Sequence, residues 1–243
     1  MHSIEINGLT KRYGDLTAVD RLDLDVREGE CLALLGVNGA GKTTVIRMLA
    51  CLTRPDAGDA RILGHSILKE PEKVKALMAL SPQETAVAPN LSVRENLEFI
   101  AGVCGANKKQ AAAQADALMQ ELQLEPVERQ RAGKLSGGWQ RRLSIAMALI
   151  QQPKLLFLDE PTLGLDVLAR RELWNVVKGL KGKVTILLTT HYLEEAVALC
   201  DRIAILNRGK LKALGTAEEL MQRTGCGSFE EAFAQLATEE SAL

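Results

Sequence analysis

Cys31-Leu32-Ala33-Leu34-Leu35-Gly36-Val37-Asn38-Gly39-Ala40-Gly41-Lys42-Thr43-Thr44 decides the fold of this chain. Its first five residues are continuously apolar, the pattern of a central strand covered on both faces. The next nine match the GxxxxGK[ST] loop in full, and residues 42–52 read as a helix. Strand, glycine loop and helix in that order make a phosphate cradle. Glycines at 36, 39 and 41 permit a tight loop whose N–H groups face an anion, and the helix N-terminus adds unpaired donors and a favourable dipole. Lys42 is expected to reach the β- and γ-phosphates of a nucleotide and Thr43 to hold Mg2+ through its hydroxyl; Asn38 and Thr44 are assigned to the nucleotide with the rest of the loop.

The flanking pattern gives an α/β fold. Ile4-Glu5-Ile6 and Leu22-Asp23-Leu24-Asp25-Val26 alternate, as half-buried strands do, and predict an N-terminal antiparallel portion. Residues 76–80 predict a short strand leading to Ser81-Pro82-Gln83, after a turn at Arg54-Pro55-Asp56-Ala57-Gly58. Ser92 followed by Glu95 is a capping box for a helix to about residue 103, and residues 108–122 form a second, alanine-rich helix. Leu155-Leu156-Phe157-Leu158 and Val184-Thr185-Ile186-Leu187-Leu188 are core strands separated by a helix over 167–180, the order of a parallel sheet. Residues 203–206 and 210–214 predict a hairpin joined at Arg208-Gly209, and helices over 216–223 and 228–238 close the chain. The expected division is one domain over 1–243, with a core of 1–84 and 153–220, an inserted helical subdomain of 85–152 and a C-terminal helical tail of 216–243.

Phe157-Leu158-Asp159-Glu160 ends an apolar strand with two adjacent carboxylates. Asp159, at the end of a strand expected beside the phosphate-loop strand, is placed to contact hydrated Mg2+ directly or through water. Glu160 is expected to point elsewhere, free to polarise an attacking water.

Composition narrows the class. At 243 residues and 47% hydrophobic, the chain can bury a full core. Thirty basic and 31 acidic groups leave a net charge of -1, with no bias toward nucleic acid or anionic lipid. The five cysteines lack metal-ligand spacing and read as reduced thiols of a cytosolic protein, Cys31 and Cys51 in apolar, buried settings. The N-terminus lacks the basic-then-apolar pattern of a signal peptide, and no stretch reaches the roughly 18 to 20 apolar residues that span a bilayer.

The phosphate loop, Leu135-Ser136-Gly137-Gly138-Trp139-Gln140, Leu155-Leu156-Phe157-Leu158-Asp159-Glu160, Gly164-Leu165-Asp166 and His191 occur in this order. That order resembles the nucleotide-binding subunit of ATP-binding cassette (ABC) transporters over nearly the whole chain. The resemblance implies a P-loop NTPase core with a mixed sheet, and a head-to-tail dimer, a homodimer in the simplest case, burying two ATP molecules. Ser136, Gly137 and Gly138 of one subunit would bind the γ-phosphate held by the other, a role suited to a hydroxyl and two small residues ahead of a helix over 140–150.

Residue by residue, Gln83 matches the glutamine that senses Mg2+ and the attacking water and links the site to the transport subunit. His191 matches the histidine that contacts γ-phosphate and steadies the catalytic carboxylate, in either protonation state. Asp166 matches the residue coupling the two sites across the dimer, and Tyr13 the aromatic that stacks on adenine. Trp139 falls at a variable position and carries no catalytic role. Pro161-Thr162-Leu163-Gly164-Leu165-Asp166 and the single-cassette form resemble the multidrug and general export branch. A separate membrane permease is implied, holding the subunit at the inner face of the cell membrane, with contact near Gln83 and the segment 87–105. Two alternatives stand beside this reading: a soluble ATPase of the same superfamily acting on ribosomes or nucleic acid, and a regulatory module that holds ATP without turnover.

Overall fold

A computed structural model describes residues 2–238; Met1 and residues 239–243 of the expected C-terminal tail lie outside the described residues. The chain opens with β1 (His2–Tyr13) and β2 (Leu16–Arg27), paired antiparallel with Ile4 opposite Val26 and Ile6 opposite Leu24. Their alternation buries Ile4, Ile6, Leu22, Leu24 and Val26 on one face, as the sequence pattern requires. Two strands that the sequence did not announce, β4 (Ala57–Ile62) and β5 (His65–Ser66), extend this sheet in the order β2-β1-β4-β5. The expected turn at 54–58 therefore ends sooner, because Ala57 already pairs with Thr10 and Gly58 lies within β4. Gly58, at φ 76°, lies against the backbone of Gly8, where a Cβ would collide.

The second sheet has the order β10-β9-β3-β8-β7-β6. β3 (Cys31–Leu35) runs parallel to both β8 (Thr185–Thr190) and β9 (Arg202–Asn207). β7 (Leu155–Asp159) lies parallel between β8 and β6 (Met78–Ser81). The carboxylate strand is thus not next to the phosphate-loop strand, as expected; β8 separates them. β10 (Lys210–Gly215) pairs antiparallel with β9 through Arg208 and Gly209, whose φ values of 48° and 75° make the tight hairpin turn.

Helix α1 (Lys42–Leu49) stops before the expected residue 52, because Cys51 turns left-handed at φ 56°. α2 (Pro71–Leu77) was not anticipated and takes Ala76 and Leu77 from the expected strand, although Pro71 at its first position is a helix-start residue. α3 (Val93–Val103) carries the Ser92/Glu95 capping box, and α4 (Lys108–Glu121) carries a second one from Asn107 and Gln110. α5 (Gly137–Leu149) begins three residues before the expected start, with Ser136 as its cap residue. α6 (Val167–Leu180), the unanticipated α7 (Leu193–Leu199), α8 (Ala217–Thr224) and α9 (Phe229–Thr238) complete the described residues. None of these helices is long and apolar enough to cross a membrane.

Alternate residues of the central strands feed two apolar cores on opposite faces. Leu32, Leu34, Phe157 and Leu187 pack with Val45, Ile46 and Leu49 of α1 and with the N-terminal sheet. Ala33, Leu35, Leu156, Leu158 and Leu188 pack on the other face with Leu97, Ala115, Leu143 and Val177 from α3 to α6. The helices between β6 and β7 therefore share a core with the sheet. All five cysteines are free thiols; Cys31 is buried as expected, Cys51 only partly.

Candidate functional site

The phosphate loop leaves the C-terminal end of β3 and enters α1 at Lys42. Gly41, at φ 103°, faces the Ala18 carbonyl, and a Cβ at Gly36 would strike the Leu206 carbonyl, so both positions need the bare backbone. Lys42 is 6% exposed and folds over the loop, donating from Nζ to the Gly36 carbonyl at 2.8 Å and the Val37 carbonyl at 3.3 Å. Its ammonium also lies 3.3 Å from Glu160 Oε1.

Thr189, at the end of β8, organises the acidic strand end. Its hydroxyl donates to Asp159 Oδ1 at 2.6 Å and accepts from the Glu160 N–H at 3.0 Å. Thr43 Oγ1 donates to the same Asp159 oxygen at 3.2 Å. Two hard oxygen donors converging at a helix N-terminus suit Mg2+.

Glu160 adopts φ 48°, a left-handed conformation that costs a non-glycine residue on the order of 1–3 kcal/mol and persists where its surroundings fix it. Here they do: Oε1 faces Lys42, and Oε2 lies 2.8 Å from His191 Nδ1. Glu160 is therefore turned away from the Thr43–Asp159 pair, as expected, but held by Lys42 and His191 rather than free. Its bent backbone aims it into the same cleft, between a lysine and a histidine. The His191 ring packs on Tyr192 at 4.1 Å between centroids, and the Arg170 guanidinium stacks on Tyr192 at 4.4 Å.

Lys42, Thr43, Glu160 and His191 line one cleft of about 510 Å³, together with Tyr13, Leu16, Ala18, Asn38, Gly39, Gly41, Thr44, Gln83 and Leu163; Asp159 lies beneath it, behind Thr43. Tyr13, half-exposed at the end of β1, offers its ring at the mouth. Gln83 is fixed from behind by Arg141 of α5, which donates to the carbonyls of Pro82, at 2.6 Å, and of Gln83 itself. Burial lowers the Arg141 pKa from its ordinary value, with Asp159 and Glu195 opposing that shift.

Ser136, Gly137, Gly138 and Asp166 are not brought into this cleft. They form a separate surface where α5 and α6 begin side by side: Gly137 sits against Leu165, and a Cβ on Gly138 would come within 3.0 Å of the Ala169 Cβ. Ser136 is exposed and its hydroxyl makes no capping bond to α5. Asp166 caps α6, its Oδ1 accepting from the N–H groups of Leu168 at 2.9 Å and Ala169 at 3.0 Å. Trp139 stacks under Arg142 at 4.5 Å and packs against the core. Sequence reasoning missed Thr189 and Arg141; the one signal for Thr189 was a pair of hydroxyl residues ending an otherwise apolar strand before His191.

A phosphate cradle, two strand-end carboxylates and a histidine converging on one cleft define a nucleotide-binding P-loop ATPase. The chain belongs to the ABC transporter family, whose profile matches residues 19–163, and it is an ATP-binding and ATP-hydrolysing subunit. It is 44% identical over 224 residues to the daunorubicin resistance ATP-binding protein DrrA3 of Streptomyces coeruleorubidus, covering 92% of this chain and 71% of that one. The Nod factor export ATP-binding protein I of Paraburkholderia xenovorans is 41% identical over 231 residues, covering 94% and 76% respectively. Among solved structures, the ATP-binding subunit of an ABC transporter superposes with a TM-score of 0.83 at 30% identity, covering 96% of this chain and 98% of that chain. A dimeric ATP-binding cassette in a post-hydrolysis state, bound to ADP and Pi, gives 0.77 at 25% identity, covering 88% and 98%.

Proposed function

We propose that this subunit drives export through a separate membrane permease, and that its active site is completed between two copies of the chain. The observation that carries this reading is the separation of Ser136-Gly137-Gly138 from the nucleotide cleft of the same chain, with an exposed hydroxyl at the start of α5. A hydroxyl and a helix N-terminus together form an anion site. Set against the loop of a second copy, they close over a γ-phosphate.

Lys42 exchanges its loop carbonyls for the β- and γ-phosphate oxygens of ATP, and Tyr13 stacks on the adenine. Thr43 and Asp159, with Gln83 at the rim, would hold Mg2+, which would supply positive charge against the phosphates. Glu160 polarises the attacking water while His191 fixes its carboxylate and reaches toward the γ-phosphate. Asp166 lies beside the Ser136 surface and couples the two sites. Closure on ATP and reopening after hydrolysis then work the permease. Phe99 and Val103, four residues apart on α3 and 57% and 69% exposed, would give the permease an apolar foothold, and a subunit held by that permease would sit peripherally at the inner face of the cell membrane. The export direction rests on the likeness to the drug-resistance and Nod factor export proteins.

Glu160→Gln tests the reading. It keeps the shape and removes the base, so turnover should fall on the order of 10²- to 10⁴-fold while ATP binding persists and a dimer accumulates on size-exclusion chromatography. Undiminished steady-state ATPase in that variant would overturn the assignment.

A further inference from the structure

Behind the Glu160–His191 contact lies a buried carboxyl that the chemistry above does not use. Glu195, on the first turn of α7, is 0% exposed. Trp174 Nε1, on α6, donates to its Oε1 at 3.3 Å. The hydroxyls of Thr162 and Thr190 face the same carboxyl. Glu195 Oε2 and Thr162 Oγ1 are both shielded from solvent, and neither meets a partner in good hydrogen-bond geometry. Facing oxygens in an interior are costly unless a proton lies between them. Burial supplies the reason for one to stay: it raises the Glu195 carboxyl above its ordinary range, the nearby Thr190 and Thr162 hydroxyls and the Trp174 hydrogen bond oppose the shift, and the Glu160 charge reinforces it.

The placement of the two threonines gives this group its meaning. Thr162 lies two residues after Glu160, and Thr190 immediately before His191. They belong to the exits of β7 and β8, neighbouring strands whose ends carry the two site residues. Trp174 joins α6, the helix capped by Asp166, to the same carboxyl. We propose that Glu195 is a positioning residue for ATP hydrolysis, tying the turn after Glu160 to the strand end before His191 and so setting the 2.8 Å contact between them. Glu160 needs such bracing, since its left-handed backbone is held only by what surrounds it.

This inference rests on the reading of Glu160 and His191 as the hydrolytic pair, and the test separates the two. The full chain is assayed for steady-state ATPase, for binding of a fluorescent ATP analogue, and by NMR for the ring resonances of its histidines; three histidines make His191 assignable. Glu195→Leu should lower kcat on the order of 10- to 100-fold with KM within about twofold, and displace the His191 ring resonances from their wild-type positions. Glu195→Gln, which retains a donor and an acceptor, should restore kcat to within about twofold of wild type. If Glu195→Leu does not fold, Thr162→Val removes one tie and should show the same kcat loss in smaller measure. A Glu195→Leu protein that melts earlier but keeps its kcat and His191 ring resonances would overturn the proposal, as would a Glu195→Gln protein as slow as Glu195→Leu. Full turnover in Glu160→Gln would instead overturn the reading beneath it.

Discussion

Asp166 stands where two roles meet, and substitution can pull them apart. The structure gives it one bond set: a single carboxylate oxygen accepts two N–H groups of the first turn of α6, at 2.9 and 3.0 Å, leaving the other oxygen exposed. Removing such a cap with Asp166→Ala costs about 1 kcal/mol, in a range of about 0.5–2. For a chain of this size that corresponds to a melting shift of about 2–4 °C. Asp166→Asn keeps the cap and loses only the favourable charge at the helix N-terminus, about 0.3–1 kcal/mol at an exposed site. Differential scanning calorimetry should therefore rank wild type, Asn and Ala in that order. ATPase read beside it isolates the second role: if the carboxylate also couples two sites, Asp166→Asn should be nearly as slow as Asp166→Ala despite its higher melting temperature. An Asp166→Ala protein that melts with the wild type would refute the capping argument. Asn and wild type turning over equally would refute the coupling.

Lys42→Met removes an ammonium that meets two loop carbonyls and Glu160, and isothermal titration should find ATP binding weakened by about 10- to 100-fold, the worth of a charge-assisted bond. Burial, and the Cys31 thiol 3.4 Å away, hold the Cys200 thiol well above its ordinary range, so little of it is thiolate at neutral pH. Iodoacetamide followed by peptide mass spectrometry should label exposed Cys104 first and Cys200 late; equal rates would contradict that environment. The raised Glu195 carboxyl makes the folded chain bind a proton that the unfolded chain releases above about pH 4.5. Its contribution is complete below that pH and declines as pH rises toward the folded value. Urea midpoints followed upward from pH 4.5 should fall more steeply in wild type than in Glu195→Gln, which has no proton to lose.

Elements with complete local signals were legible in the sequence. The Ser92/Glu95 box started α3 at Val93, and Arg208-Gly209 made the hairpin between β9 and β10. The start of α5 was not legible, because two consecutive glycines each cost a helix about 1 kcal/mol relative to alanine and read as loop. Packing overrides that preference: the first turn of α5 lies so close to Leu165 and Ala169, with room for a Cβ only at 3.3 and 3.0 Å, that glycine fits without displacing them. Likewise, no local pattern says that β8 stands between β3 and β7, yet that order delivers Thr189 to Asp159 and His191 to Glu160. The site's residue types were readable one by one. Their shared hydrogen bonds were not, since they depend on strand order and on the bend at Glu160.

The strand order also dictates when the molecule can assemble. β1 and β2 are neighbours in sequence and can pair as soon as both exist, whereas Cys31 must wait for Ile186, and Leu32 for Arg202, before β3 gains either flank. Pairings across so much chain are slow to form, because loop closure precedes any gain from contact. On the ribosome, the phosphate loop and its helix emerge attached to a strand with both edges open and apolar residues on both faces. The stretch that defines the nucleotide cradle is thus synthesised well before the strands that complete it, and the growing chain carries that open strand until residues 185–207 arrive.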